Sequence, residues 1–222
     1  MSAYSKQPTA PFNPLYGCAI MMIAILVFGG IIAWAFYSLT TQDREIAKFA
    51  VEQPVKPTAQ RPDEAGMADL KRRLSEFATQ TAGKQPASIV LTTQELNALM
   101  DLAPDTGYGK FTDMIAFKSV RDGKVLVADV CFPLNKAKFW EGKRYAVGEA
   151  TFTVEIVKDR GPDMKLASLI VPGKEVSAGF LEAFGGWHWL TPYQKLETLA
   201  PTLKAITKVS ITSTGIELVS QP

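Results

Sequence analysis

The strongest pattern along the chain is an uninterrupted apolar run near its N-terminus. Residues 15–39 contain no charged side chain, and the run is longer than the roughly 20 residues that a helix needs to cross a bilayer. Tyr16 lies at one end, and Trp34 and Tyr37 lie at the other, about 27 to 32 Å away along a helix, which is the spacing of two aromatic membrane interfaces. The pattern predicts a transmembrane helix over 15–39, preceded by a short tail at 1–14.

A cleaved signal peptide is the alternative for this segment, because Ala33, Trp34 and Ala35 have the small-x-small form of a cleavage site. Two features favour a retained anchor instead. The apolar run exceeds the roughly 7 to 15 residues of a signal-peptide core, and the leader carries Lys6 as its single basic residue. We therefore expect a single-pass membrane protein.

Three prolines, Pro54, Pro57 and Pro62, follow the apolar run. Proline-containing segments of this kind favour a semi-extended spacer. Residues 40–63 are accordingly predicted to form a juxtamembrane segment and linker. The soluble domain is then expected to occupy residues 64–222, a length that suits one domain.

Beyond the linker, the spacing of apolar residues changes from helical to strand-like. Helical spacing predicts a helix in 67–83, whereas alternation along YAVGEATFTVEIV, residues 145–157, predicts a long half-buried strand. Its short connections to strands at 124–134 and 164–172 predict an antiparallel arrangement. The fold class is therefore α+β: an N-terminal transmembrane helix followed by a long antiparallel β-meander packed with short helices.

Two helices and a hairpin are predicted to complete the domain. Helical patterns cover 173–185 and 191–206; the second opens with Thr191 as N-cap and contains Pro201, which should bend or restart it. The C-terminal segment ITKVSITSTGIELVS carries alternating apolar residues on both sides of a turn near Gly215, which predicts a β-hairpin.

The stretch SIVLTTQELNALM, residues 88–100, joins a strand to a helix through polar residues. Thr92 and Glu95 have the spacing of a capping box, in which each side chain bonds the backbone N–H of the other, and Leu96 is expected in the core. Asn97 has no part in the cap, and asparagine favours helix interiors weakly. We expect its amide to bond a neighbouring backbone group that the sheet leaves unpaired.

Composition and charge exclude one large class of function. The 24 basic and 22 acidic residues give a net charge of +2 and are interspersed, as in DLKRRLSEF, so we expect no nucleic-acid partner. Cys131 is the single cysteine outside the apolar run that contains Cys18, so an intrachain disulfide is not expected. Its apolar strand favours a buried, inert thiol.

His188 is the only histidine, and it lies between Trp187 and Trp189. The nearest carboxylates in the sequence are Glu182 and Glu197, a spacing that predicts neither a metal site nor a cofactor. The sequence also lacks a nucleophile elbow, a Walker A loop and an H-E-x-x-H motif. We therefore expect no catalytic residue.

Tryptophans beside a polar residue are typical of a packed corner or of an interfacial surface. The candidate ligand or partner surface comprises Phe180, Phe184, Trp187, His188 and Trp189. Ala146, Gly148 and Ala150 on the inner face of the long strand leave room for a packed helix or an acyl chain. A packed helix is the expected occupant, because protein interiors are close-packed.

The order of these elements resembles the YpmS-like family of small bacterial membrane-anchored proteins of unknown function. The residues that carry the resemblance are Leu91, Thr92, Glu95, Leu96, Asn97, Leu99, Ile170, Val171 and Pro172. The resemblance implies an extracytoplasmic domain. Basic residues point the other way by the positive-inside rule, with one before the span and three between 44 and 56. We expect the domain outside the cytoplasm, held at the cell membrane.

Taken together, these patterns predict a membrane-anchored, non-catalytic envelope protein. Its soluble domain is expected to bind a lipid-like envelope component or a protein partner. The alternative is a membrane-anchored hydrolase that acts on an envelope polymer, which would use acid–base chemistry at His188.

Overall fold

The computed structural model describes residues 14–103, 111–134 and 143–221, and the chain divides into two compact units, Met1–Asp43 and Arg44–Pro222. The helices are α1 (Pro14–Phe49), α2 (Glu64–Ala82), α3 (Thr93–Leu102), α4 (Ala178–Gly185), α5 (Thr191–Gln194) and α6 (Ala200–Ala205). The strands are β1 (Ala87–Thr92), β2 (Ile115–Arg121), β3 (Val125–Leu134), β4 (Arg144–Val157), β5 (Gly161–Ile170), β6 (Ile206–Ile211) and β7 (Gly215–Ser220). This order confirms the α+β class. Apart from Pro14, the predicted tail lies outside the described residues.

The first unit is described from Pro14 onward, and there it is a single stretch of α1. Its large apolar side chains are exposed, and none of its most apolar window is buried. A core helix of a soluble protein buries at least one face against other elements. α1 is long and apolar enough to cross a membrane.

Within the described residues, the second unit has two antiparallel sheets. The larger has the order β2-β3-β4-β5 and is the predicted meander. The smaller has the order β1-β7-β6, so the strand before the capping box pairs with the C-terminal hairpin. A Cβ atom at Gly215 would lie 1.9 Å from the carbonyl oxygen of Leu91, and glycine therefore permits this pairing.

The space beside the small residues of β4 is occupied by other parts of the protein, which leaves no room there for an acyl chain. Ala146 and Ala150 are completely buried. A Cβ atom at Gly148 would lie 2.1 Å from the carbonyl oxygen of Ile170, at the end of the neighbouring strand. At Gly148 the occupant is thus the backbone of β5, not the helix that we predicted.

Most of the segment 40–63, predicted as a juxtamembrane segment and linker, belongs to the second unit, which begins at Arg44. α1 continues to Phe49, which is completely buried and packs its ring edge-on against Phe180 with 4.8 Å between the centroids. Val51 then forms an antiparallel bridge with Tyr145, with N–H to O distances of 2.9 and 2.8 Å. At Phe49 and Val51 this segment therefore contacts the domain instead of standing apart from it.

Prolines in this segment stiffen the chain without detaching it from the domain. Pro57 is buried, and Arg61 forms an ion pair with Asp101 of α3. Proline content reports backbone stiffness, not whether a stiff segment crosses a gap or packs on a surface. The compact unit accordingly begins at Arg44 instead of at residue 64.

The region predicted as one helix over 191–206 contains the two short helices α5 and α6. Thr191 is not the N-cap, because Leu190 takes that position and makes no side-chain capping bond. Pro201 lies in the first turn of α6, where its missing N–H has no helical partner to lose. The helix therefore restarts at the proline, as one of the two predicted outcomes.

The polar residues of SIVLTTQELNALM are architectural. The capping box is present: Glu95 N–H donates to the Thr92 hydroxyl at 3.2 Å, and Thr92 N–H donates to the Glu95 carboxylate at 2.8 Å. Leu96 is buried as predicted. Arg73 of α2 also binds Glu95 and donates to the carbonyl of Val90 at 2.9 Å. The capping box and Arg73 thus join α2, β1 and α3.

The prediction that the Asn97 amide bonds an unpaired backbone group is confirmed. Asn97 is completely buried, and its Oδ1 accepts from the Phe117 N–H at 2.8 Å. Its Nδ2 donates to the carbonyls of Phe117 and Gln60, each at 2.9 Å. β2 is an edge strand, so the outward backbone groups of Phe117 lack a neighbouring strand. The Asn97 carboxamide supplies the hydrogen bonds that a neighbouring strand would have made.

Replacing Asn97 by Ala removes partners from three buried or part-buried backbone groups. We expect the free energy of unfolding to fall by about 2 to 4 kcal/mol, because each unsatisfied group keeps its desolvation cost. The measurement is urea unfolding of the full chain in detergent. Gln94→Ala is the matched control, since Gln94 is exposed on the same helix. Equal stability of the two variants would contradict this account.

Candidate functional site

A series of stacked aromatic rings runs from the core of the domain to its surface. Phe180 and Phe184 lie one helical turn apart on α4, and their rings stack with 4.4 Å between centroids. Phe184 in turn stacks on Trp187 at 5.3 Å with an angle of 12° between the planes. The series starts at buried Phe49 and ends at Trp187, which is 55% exposed. The indole is therefore stacked on Phe184, its centroid lies 5.9 Å from that of the Trp189 ring, and about half of its surface is exposed to solvent.

The structure brings the five residues of the candidate surface together, but two of them are interior. Phe180 and Trp189 are 9% and 5% exposed and belong to the hydrophobic core. Their assignment to a contact surface is thereby corrected. Phe180 lies on the inner face of α4, and the Trp189 ring packs among core aromatic residues. The accessible part of the candidate surface consists of Trp187, His188 and part of Phe184.

Asp163, a residue that we did not single out in the sequence, lies beneath His188. The imidazole Nδ1 contacts the Asp163 Oδ2 atom, and the aspartate is 1% exposed. Its Oδ1 accepts from the backbone N–H groups of Met164 at 2.9 Å and Leu190 at 3.1 Å. Both carboxylate oxygens thus have donors, which is the condition for burying a charged group.

The distance along the chain explains why the pair was missed. Asp163 and His188 are 25 positions apart and come from β5 and from the loop after α4. No short motif spans that separation. The available signal was an acidic residue beside Met164 at the start of an apolar strand, where all of residues 161–164 are buried. Such a residue needs a partner, but the sequence does not identify it.

The pair fixes which imidazole nitrogen is free. A carboxylate on Nδ1 keeps a proton on that nitrogen, so in the neutral ring Nε2 carries the lone pair. The His188 side chain is 37% exposed. The arrangement can accept a hydrogen bond or a proton from a molecule outside. In the described part of the chain, His188 makes no hydrogen bond to a serine, threonine or cysteine side chain.

Cys131 is a further side chain with potential reactivity, and it is buried. Burial raises the pKa of the Cys131 thiol above its ordinary value, which lowers the thiolate fraction. Among residues 14–103, 111–134 and 143–221, no three His, Cys, Asp or Glu side chains lie close enough to hold a metal ion. Acid–base and hydrogen-bonding chemistry at His188 is what these residues offer.

The turn that carries His188 is held against the start of β5. Gln194 Nε2 donates to the carbonyl of Pro162 at 2.9 Å, and Trp189 N–H donates to that of Met164 at 3.5 Å. Three buried polar atoms in this turn have no hydrogen-bond partner among the described residues: Trp189 Nε1, Thr191 Oγ1 and Gln194 Oε1. Buried polar atoms are normally satisfied, so this turn has unused hydrogen-bonding capacity.

A polar groove of about 330 Å³ lies between α2 and β1. Its arginines are neutralised by neighbouring carboxylates: Arg72 binds Asp69 at 2.6 Å and Glu76 at 2.7 Å, and Arg73 binds Asp69 at 2.7 Å. The two guanidinium groups hold the pKa of Asp69 below its ordinary value. We assign no ligand to this groove, because its charges are satisfied locally.

Comparison of the chain with known protein families, curated proteins and solved structures finds no match. The resemblance to the YpmS-like family therefore stays a prediction from the sequence. The features of the chain that bear on its function are α1 and the surface around His188.

The tautomer of His188 tests the geometry of the pair directly. The chain has one histidine, so the ¹⁵N spectrum of the full chain labelled at histidine shows a single imidazole. We expect the neutral ring to carry its proton on Nδ1, because Asp163 accepts there.

Asp163→Asn removes the charge that selects this tautomer, and we expect Nε2–H to gain population. Asp159→Asn is the control, since Asp159 is exposed in the turn before β5 and asparagine tolerates its positive φ of 63°. An Nε2–H ring in the parent chain, or the same spectrum in both variants, would contradict the pair.

Proposed function

We propose that this chain is a single-pass bacterial membrane protein whose α+β domain binds a lipid-like envelope component or a protein partner, without catalysis. The observation that carries the proposal is α1, whose apolar side chains are exposed along a charge-free span. Lipid is the environment that removes such a surface from water and leaves the helical backbone satisfied.

Binding is assigned to the surface around Trp187. Trp187 is the one aromatic side chain above half exposure in the described part of the second unit. Tryptophan is enriched at binding hot spots because a rigid ring buries much apolar area at small cost in conformational entropy. Stacking on Phe184 holds the ring in place before any partner arrives.

The domain is proposed to lie outside the cytoplasm, on the strength of the resemblance to the YpmS-like family. Cysteine labelling determines on which side of the membrane the domain lies. Thr153 is exposed on β4, whereas Cys131 is buried. In a Cys18→Ala background, Thr153→Cys should react with a membrane-impermeant maleimide on intact cells.

Ser5→Cys, on the other side of α1 in the sequence, is the control and should react only after the cells are permeabilised. The reverse pattern would place the domain in the cytoplasm. Extraction of the chain by alkaline carbonate from washed membranes would contradict the anchor itself.

A hydrolase acting on an envelope polymer is the second candidate, and the observation that favours it is the Asp163–His188 pair. A buried carboxylate that orients an exposed imidazole is the arrangement of a general base. The described contacts of His188 supply no nucleophile, so such a reaction would use water. The pair serves binding equally well, because the same Nε2 accepts a hydrogen bond.

His188→Ala separates the two candidates. Under the binding proposal, release of soluble fragments from purified envelope polymer by the full chain stays at the level of the parent. A fall of about 10²-fold or more, with an unchanged circular dichroism spectrum, would indicate acid–base catalysis and favour the hydrolase. Asp159→Asn serves as the control for handling and expression.

A further inference from the structure

The smaller sheet ends at β1, and one edge of that strand has no neighbouring strand. In an antiparallel pair, successive residues direct their backbone groups alternately towards the neighbour and away from it. Thr93, just after β1, donates its N–H to the Thr214 carbonyl beside β7 at 3.0 Å. Counting back from Thr93 in steps of one, Ser88 and Val90 therefore turn their backbone groups outward. The bond from Arg73 to the Val90 carbonyl agrees with this direction.

Three of these outward groups have no hydrogen-bond partner among the described residues: the N–H and carbonyl of Ser88, and the N–H of Val90. Both residues are exposed and line the groove between α2 and β1. The edge of β2 differs, because the Asn97 carboxamide bonds both outward groups of Phe117 there. An edge strand with free N–H and carbonyl groups is a template for a further strand.

The charged side chains of the groove give no reason for an ionic ligand, since they bind one another. Three carboxylates, of Asp69, Glu76 and Glu95, surround the two guanidinium groups of Arg72 and Arg73, which leaves one negative charge. An acidic segment is therefore disfavoured beside β1, and a neutral or basic one is favoured.

The unpaired groups of β1 match a peptide backbone better than a lipid or a sugar. They are donors and an acceptor in a row, with a repeat of about 6.6 Å from one outward residue to the next, and an extended chain has the same repeat. The Val90 side chain is also 44% exposed. A β-branched or aromatic residue on a neighbouring strand would cover it.

We propose that β1 binds an extended, non-acidic segment of a partner protein, which adds one strand to the smaller sheet. The segment donates to the Ser88 carbonyl and accepts from the N–H groups of Ser88 and Val90. This site is formed by β1 and α2, whereas Trp187 follows α4. The inference therefore goes beyond the proposed function and does not depend on what the surface around Trp187 binds.

The first experiment is a titration of the full chain in detergent with a synthetic peptide. The peptide has seven residues, with lysine at each end and threonine alternating with valine between them, and its termini are acetylated and amidated. With the chain labelled with ¹⁵N at valine, we expect the Val90 amide signal to shift saturably, with a Kd on the order of 1 mM or tighter.

Two control peptides separate backbone pairing from other kinds of contact. N-methylation of the three central residues removes N–H groups from both edges and keeps the side chains, and it should weaken binding by about tenfold or more. Glutamate in place of both lysines should weaken it several-fold. Absence of saturable binding by the parent peptide, or equal affinity of either control peptide, overturns the proposal.

Val90→Pro tests the strand edge from the side of the protein. Proline is tolerated on an edge strand where the N–H faces outward, and here it removes a donor and obstructs the approaching strand. We expect affinity for the peptide to fall by about tenfold or more. Val90→Thr is the matched control, because it keeps the N–H and the β-branched shape, and it should bind like the parent.

Equal affinity in Val90→Pro, with an unchanged circular dichroism spectrum, would overturn the proposal. Should Val90→Pro fail to fold, the N-methylated peptide decides alone, because it leaves the protein unaltered.

A photo-reactive phenylalanine in place of Ser88 tests the occupant in intact cells. It should cross-link to another protein through a segment without acidic residues, and Val90→Pro should abolish the cross-link while Val90→Thr retains it. Cross-linking to a second copy of this chain would indicate self-pairing of β1 and overturn the proposal. Cross-linking to lipid, or no more cross-linking than at exposed Thr153, would overturn it as well.

Discussion

The carboxamide of Asn97 is the interaction on which the rest of the domain depends. α3 grows out of β1, in the smaller sheet, whereas the backbone groups that Asn97 binds belong to β2, at the edge of the larger sheet. An edge strand in the core would leave an N–H and a C=O unsatisfied, and a carboxamide has one donor side and one acceptor side to match them. Its second N–H binds the carbonyl of Gln60. One side chain thus sets the positions of three segments that are far apart in the sequence.

Side-chain contacts also hold the residues after the apolar span on the domain. Lys174 Nζ donates to the carbonyl of Ala50 at 3.1 Å, just beyond the end of α1. Phe49, the last residue of α1, is buried and packs edge-on against Phe180. The aromatic series that supports Trp187 therefore begins in the helix that carries the apolar span.

Local patterns in the sequence predict much of what local physics determines, and most of the errors are non-local; the N-cap assigned to Thr191 is a local one. The capping box of Thr92 and Glu95 is correct because both partners lie within one turn of the chain. The meander of β3, β4 and β5 is correct because alternation and short connections fix strand pairing. The pairing of β1 with β7, the ion pair of Arg61 with Asp101 and the partnership of Asp163 with His188 could not be predicted, since each joins residues from distant parts of the sequence. At these places the sequence indicates that a residue needs a partner, as a buried carboxylate does, but it does not identify the partner.

The two tryptophans beside His188 show how one buried charge determines the chemistry of a surface. In sequence they are equivalent, yet Trp189 is in the core and Trp187 is exposed. Asp163 binds the His188 ring and the N–H of Leu190, which fixes the path of the chain on both sides of Trp189 and directs that ring inward. Trp187 lies one position before the residues that Asp163 binds, and its ring stacks on Phe184. Burying the aspartate costs desolvation that its donors offset. The imidazole is then oriented by Asp163 and the indole by Phe184, so the conformational freedom of both side chains is already reduced in the folded domain.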